Sequence, residues 1–150
     1  MAAVGVAGLA ACQAAPAASF NGIDITGATY ASGFRLRDPE GRVRTLEDFR
    51  GKAVLVFFGF TQCPDVCPTA LARAADTRRL LGPLGDRLQV VFITVDPERD
   101  TPPVLASYTR AFDPSFFSYV FDPGGRVRLV LRHDQGAEQY ASDIRTILTS

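Results

Sequence analysis

Two continuous apolar runs dominate the pattern of hydrophobic and polar positions: Ala53-Val54-Leu55-Val56-Phe57-Phe58-Gly59-Phe60 and Leu88-Gln89-Val90-Val91-Phe92-Ile93-Thr94-Val95. Short runs of this kind, rich in β-branched and aromatic residues, predict strands buried on both faces. Between them, Ala70, Leu71, Ala74, Leu80 and Leu81 fall near one helical stripe, with Arg73, Asp76, Arg78 and Arg79 on the wet face. The helix start is Asp65 or Thr69, and Gly82-Pro83-Leu84-Gly85 stops it. A strand, a long helix and a second strand imply parallel pairing.

The flanking segments alternate instead. Phe34-Arg35-Leu36-Arg37 and Arg42-Val43-Arg44-Thr45-Leu46 flank the turn Asp38-Pro39-Glu40-Gly41, which predicts a hairpin with Phe34, Leu36, Val43 and Leu46 toward the domain and the arginines in water. Residues 103–112 predict a shorter helix carrying Leu105, Tyr108 and Phe112. A second hairpin follows, residues 117–121 and 126–131 around Asp122-Pro123-Gly124-Gly125, and residues 137–148 close the chain as a helix with Tyr140, Ile144 and Ile147 on one face. The order is hairpin, β, α, β, α, hairpin, α. That is the layout of an α/β, thioredoxin-like domain with three α/β/α layers and an N-terminal β-hairpin extension, covering residues 33–150. Residues 13–32, rich in Ala, Gly, Ser and Thr, read as a tether.

Composition narrows the class. The 150 residues are 47% apolar and carry 16 basic and 16 acidic side chains, so one domain with a real core is expected and a nucleic-acid-binding surface is not. No apolar run approaches the roughly 20 residues of a membrane span. Residues 1–12 nevertheless look like a targeting segment, and Leu9-Ala10-Ala11-Cys12 resembles the lipobox of bacterial lipoproteins. The resemblance implies lipidation at Cys12 and a lipid-anchored location at the periplasmic face of a bacterial cell envelope.

The remaining two of the three cysteines sit in Thr61-Gln62-Cys63-Pro64-Asp65-Val66-Cys67-Pro68-Thr69, where the first apolar run hands over to the helix. Unpaired N–H groups and the positive dipole end at a helix start favour thiolate over thiol, the form that attacks disulfides and binds soft metals. Paired thiolates suit Cu(I) better than Cu(II). The charged loop Asp96-Pro97-Glu98-Arg99-Asp100-Thr101-Pro102 follows the second strand at the same sheet edge, the edge that hosts function in open α/β sheets.

Gly59-Phe60-Thr61-Gln62-Cys63-Pro64-Asp65-Val66-Cys67-Pro68-Thr69 and Phe92-Ile93-Thr94-Val95-Asp96-Pro97-Glu98-Arg99-Asp100-Thr101-Pro102 together resemble the Sco/SenC proteins. The resemblance implies a thioredoxin-like fold that binds copper through Cys63, Cys67 and a distant histidine. It also implies delivery of copper to the binuclear copper site of cytochrome c oxidase, or reduction of that site's thiols, with the copper-bearing subunit as partner. The family's histidine stands in an Asp-His-Ser sequence before the final hairpin, whereas this chain has Asp113-Pro114-Ser115 there and lacks a strand and helix of the family pattern. His133, the single histidine, is the candidate stand-in.

Two redox alternatives remain open. Cys63 and Cys67 could serve a general thiol-disulfide oxidoreductase without physiological copper, although thioredoxins separate their cysteines by two residues and this chain by three. Cys67-Pro68-Thr69 also resembles a peroxiredoxin site, but Pro64 stands where that site has a threonine.

Overall fold

The computed structural model describes residues 19–112, 121–132 and 134–149. Cys12, the opening of the tether, Asp113 to Ser115, residues 117–120 and His133 lie outside the described residues.

The two apolar runs form β4 (Ala53–Gly59) and β5 (Leu88–Thr94). They pair in parallel along their whole length, Ala53 opposite Leu88 and Gly59 opposite Thr94. Helix α1 (Val66–Leu80) and a 3₁₀ segment, Gly82–Arg87, connect them. Alternation sends the two faces of the pair to different partners. Leu55, Val90 and Phe92 pack on Leu71 and Ala74 of α1 and on Tyr140, Ile144 and Ile147 of α3 (Ala137–Thr149). Val54 and Val91 pack on Leu46 and Phe121. Each fully buried aliphatic side chain here, such as Leu71 or Ile144, contributes about 1.5–3 kcal/mol.

The sheet continues on the far side of β4. Val54 and Phe121 exchange backbone hydrogen bonds, Phe121 bridges Val127, and β6 (Leu129–Val130) pairs antiparallel with β1 (Ile23–Asp24). The N-terminal hairpin forms from β2 (Arg35–Arg37) and β3 (Val43–Thr45), and α2 (Pro102–Arg110) follows β5.

Both hairpin turns use one device, the repeated sequence Asp-Pro-x-Gly-Arg-Val-Arg. In the first, the buried Asp38 carboxylate accepts from Arg42 N at 2.8 Å, Arg42 Nε at 3.0 Å and Arg44 Nε at 2.9 Å. In the second, Asp122 accepts from Arg126 N and Nε, both at 3.0 Å, and from Arg128. Gly41 and Gly125 take φ of 81° and 78°, which a side chain would strain. Burial works against each carboxylate's charge, and the hydrogen bonds outweigh it and hold both below the usual range.

Five details depart from the sequence reading. Residues 20–25 are not free tether: Phe20 packs on the core, β1 joins the sheet, and Asp143 of α3 accepts from Asn21 N, Asn21 Nδ2 and Gly22 N at 2.8, 3.0 and 2.8 Å. Leu36 and Val43 are exposed, because the hairpin touches the domain through Phe34 and Leu46. Arg44, expected in water, is drawn in by Asp38. Leu80 is exposed and Thr77 takes the buried place, closing its hydroxyl onto Arg73 O at 2.8 Å. Phe58 is 56% exposed although its strand was expected to be covered on both faces: Phe121 meets β4 at Val54, and beyond β5, which sets Ile93 opposite Phe58, no described strand lies beside it.

Candidate metal and redox site

The reactive turn sits where β4 ends and α1 begins. Cys63 N donates to Phe60 O at 3.2 Å and tightens the turn, Asp65 occupies the cap position, and α1 starts at Val66. Pro68 falls in the first helical turn, where a missing N–H breaks no helical bond. Asp65 makes no side-chain cap hydrogen bond, so its part here is a backbone one.

This geometry brings the two sulfurs together. Cys63 is partly exposed and Cys67 is buried. The Cys67 thiol donates to Cys63, and the backbone N–H groups of Cys67, Asp65 and Val66 also point to that sulfur. These contacts, the Cys67 thiol first, lower the Cys63 pKa. Cys67 moves the other way: burial raises its pKa, and the proton it shares with Cys63 adds to the effect. The pair therefore divides into an accessible sulfur disposed to ionise and a shielded one that keeps its proton.

Glycine is required next to the shielded sulfur. A Cβ on Gly59 would lie 2.8 Å from Cys67 Sγ, 2.8 Å from Phe92 Cε2 and 3.0 Å from Phe57 Cε1. The last residue of β4 thus leaves the space into which Cys67 tucks.

The loop after β5 clasps this turn. Asp100, 2% exposed, accepts from Thr61 N at 3.0 Å, Thr61 Oγ1 at 2.6 Å and Thr94 Oγ1 at 2.6 Å. Burial opposes its charge, but these hydrogen bonds prevail and hold the carboxyl below its ordinary pKa. Asp96 pairs with Arg99 on the outside of the same loop. The charged stretch is thus partly an internal clasp, with Glu98 and Arg99 left on the surface.

Tyr108 of α2 completes the surroundings. Its ring lies 5.7 Å from that of Phe92, and its buried hydroxyl has no hydrogen-bond partner among the described residues. Burial first, then Cys67, Cys63 and Asp100, all ionised by the time the phenol titrates, push its pKa up to about 12. Sequence reasoning placed Tyr108 on a packing stripe and missed both this role in the site and the Gly59 contact. The Phe-Gly-Phe sequence at the strand's end was the available signal for the glycine.

Among the described residues, no third His, Cys, Asp or Glu joins the two cysteines. The donor set present, two adjacent sulfurs on a turn that directs backbone N–H groups at one of them, suits a soft monovalent ion. It equally suits thiol-disulfide exchange.

The model of the SCO1/SenC family matches residues 24–119, more than half of the chain and all of this site. The chain belongs to the SCO1/SenC family. It is 49% identical over 83 residues to the mitochondrial SCO2 homolog of Bos taurus, a match covering 54% of this chain and 31% of the bovine protein. This SCO1/SenC chain therefore spans about a third of that relative's length. Apo Sco1 from Thermus thermophilus superposes with a TM-score of 0.75 at 29% identity, over 89% of this chain and 99% of that one. Copper-bound ScoI of Bradyrhizobium japonicum gives 0.64 at 29% identity, over 75% and 96%. The fold is the thioredoxin-like α/β fold its element order implied.

Proposed function

We propose that this protein handles copper in the assembly of the binuclear copper site of cytochrome c oxidase, holding Cu(I) on Cys63 and Cys67. The observation that carries the reading is the hydrogen-bonded sulfur pair at the start of α1, one member partly exposed and the other buried. An exposed sulfur can exchange its ion with a partner's ligands while the shielded one retains its grip. The copper bound to the Bradyrhizobium japonicum relative supports the choice of metal. His133 is proposed as a third ligand, which the Cu(II) state would need more than Cu(I) does.

The same pair can serve the partner's thiols. Cys63 thiolate attacks one sulfur of a partner disulfide and displaces the other as thiolate. Cys67, deprotonated, then attacks Cys63 Sγ, so the partner leaves as a dithiol with two electrons and two protons gained and this chain becomes a disulfide. We further propose that the chain works at the periplasmic face of a bacterial envelope, tethered through a lipidated Cys12. No helix among the described residues is long and apolar enough to cross a membrane.

The test is transfer. Cu(I)-loaded protein is mixed with the soluble copper-bearing domain of an oxidase subunit, a one-electron oxidant is added, and the absorption of the resulting mixed-valence binuclear site is read. The reading predicts that wild type transfers, that Cys63→Ala and Cys67→Ala do not, and that His133→Ala weakens Cu(II) binding more than Cu(I). Full disulfide reductase activity with no copper uptake would instead select a general thiol-disulfide oxidoreductase.

A further inference from the structure

Strand β5 is an edge: among the described residues its one strand partner is β4. Val95 N donates to Gly59 O at 2.8 Å, so Val95, Ile93 and Val91 turn their backbone groups toward β4. By alternation, Val90, Phe92 and Thr94 turn theirs outward. Gln89 Nε2 donates to Val90 O at 3.3 Å, consistent with that carbonyl facing away from β4. No described backbone group reaches the outward N–H and C=O of Phe92 or Thr94.

This edge is not flat surface. It lines a groove of about 450 Å³ between the β2–β3 hairpin and α2. Apolar side chains from both sides, Leu36 and Phe49 on one and Leu105 on the other, form its walls. The β5 stretch that lines it, residues 91–94, corresponds to about 13 Å of extended chain. A groove of that shape with unpaired strand groups along it accepts one added strand, with backbone hydrogen bonds for affinity and apolar pockets for alternate side chains.

Charge identifies the occupant. Arg37, Arg42, Arg44 and Arg110 stand on the lining against two carboxylates, Asp38 and Glu40, which leaves it net cationic. Asp38 is committed to Arg42 and Arg44, and Arg110 meets Glu40 at 3.5 Å. The Arg37 guanidinium donates to Gly41 O and, among the described residues, meets no carboxylate. A second copy docked by two-fold symmetry would set this cationic rim against itself. We propose that the groove is a docking site for an extended acidic segment of a partner protein, added as a strand to the edge of β5.

The C-terminal end of β5 is Thr94, which shares Asp100 with Thr61 of the reactive turn, so a strand docked here runs up to the cysteines. The surface stands whether those sulfurs carry copper or electrons. It goes beyond the proposed function and does not depend on it.

The test uses the isotope-labelled full-length chain, metal-free, with two synthetic seven-residue peptides, one alternating glutamate and valine and one alternating lysine and valine. The proposal predicts amide shift changes at Val90, Phe92 and Thr94 and affinity for the glutamate peptide at least about tenfold above that for the lysine peptide. It predicts loss of that preference in Arg37→Glu/Arg110→Glu, with each charge reversal weakening the acidic peptide several-fold. Equal affinity for both peptides, shifts confined to other surfaces, or no shift with either would overturn it. So would concentration-dependent dimerisation of the free chain with the same β5 amides shifting, which would make a second copy the occupant.

Discussion

Replacing Asp100 removes a side chain that joins the reactive turn to the loop after β5. Its carboxylate accepts three hydrogen bonds, from Thr61 N, Thr61 Oγ1 and Thr94 Oγ1, and is almost fully buried. Hydrogen bonds to a charged group contribute about 1.5–3 kcal/mol each, and three on one carboxylate are not additive. Both hydroxyls can turn to other acceptors, so the main loss is the acceptor for Thr61 N. Asp100→Ala should therefore cost about 3 kcal/mol, and Asp100→Asn, which keeps one acceptor oxygen, about half of that. With a urea slope of about 2 kcal/mol/M, the alanine variant should unfold roughly 1.5 M earlier. The measurement is urea unfolding followed by far-ultraviolet circular dichroism, repeated across pH. The folded-state pKa of Asp100 is depressed, so its stabilisation is complete above the ordinary carboxylate value near pH 4 and fades as pH falls through the folded value. The gap between wild type and Asp100→Asn should close in acid for that reason. A loss below about 0.5 kcal/mol in Asp100→Ala, or a gap that widens on acidification, would refute the clasp.

Three further outcomes follow from the same geometry. Gly59→Ala places a methyl 2.8 Å from Cys67 Sγ, so it should cost about 1–3 kcal/mol and speed alkylation of Cys67, read by unfolding and mass spectrometry. In wild type, iodoacetamide should modify Cys63 first and with a midpoint below the usual thiol value near pH 8.5, while Cys67 lags and titrates higher; equal rates at all pH values would contradict the division of roles. Asp143→Ala removes three hydrogen bonds to Asn21 and Gly22 and should release residues 20–25 to limited proteolysis with the core intact.

How much of this was legible in the sequence depends on whether the signal is local. The parallel pair β4–β5 showed itself because a strand covered on both sides must be continuously apolar, and the helix starts followed from Pro and Asp placement. The hairpin turns were equally visible in Asp38-Pro39 and Asp122-Pro123. What the turn sequence did not reveal was that each aspartate draws two arginines back over the hairpin, so Arg44 is less wet and Leu36 more so than alternation implies. The two-residue β1 carries no periodicity, and its docking rests on Asp143, 122 positions from Asn21. In the site, Cys63 and Cys67 announced themselves by spacing. Gly59 and Tyr108 did not, and Asp100 showed only as one residue of a charged loop, because a close approach, a clasp across 39 positions and a hydroxyl unpartnered among the described residues exist only once the chain is folded.

The measurement that bears most directly on the central claim is Cu(I) titration of the full-length chain against a competing chromophoric ligand, with X-ray absorption on the loaded protein. The account predicts one Cu(I) per chain, sulfur neighbours from both cysteines, and loss of uptake in either Cys63→Ala or Cys67→Ala. Undiminished uptake in both variants would show that the sulfur pair at the start of α1 is not where this protein holds its copper.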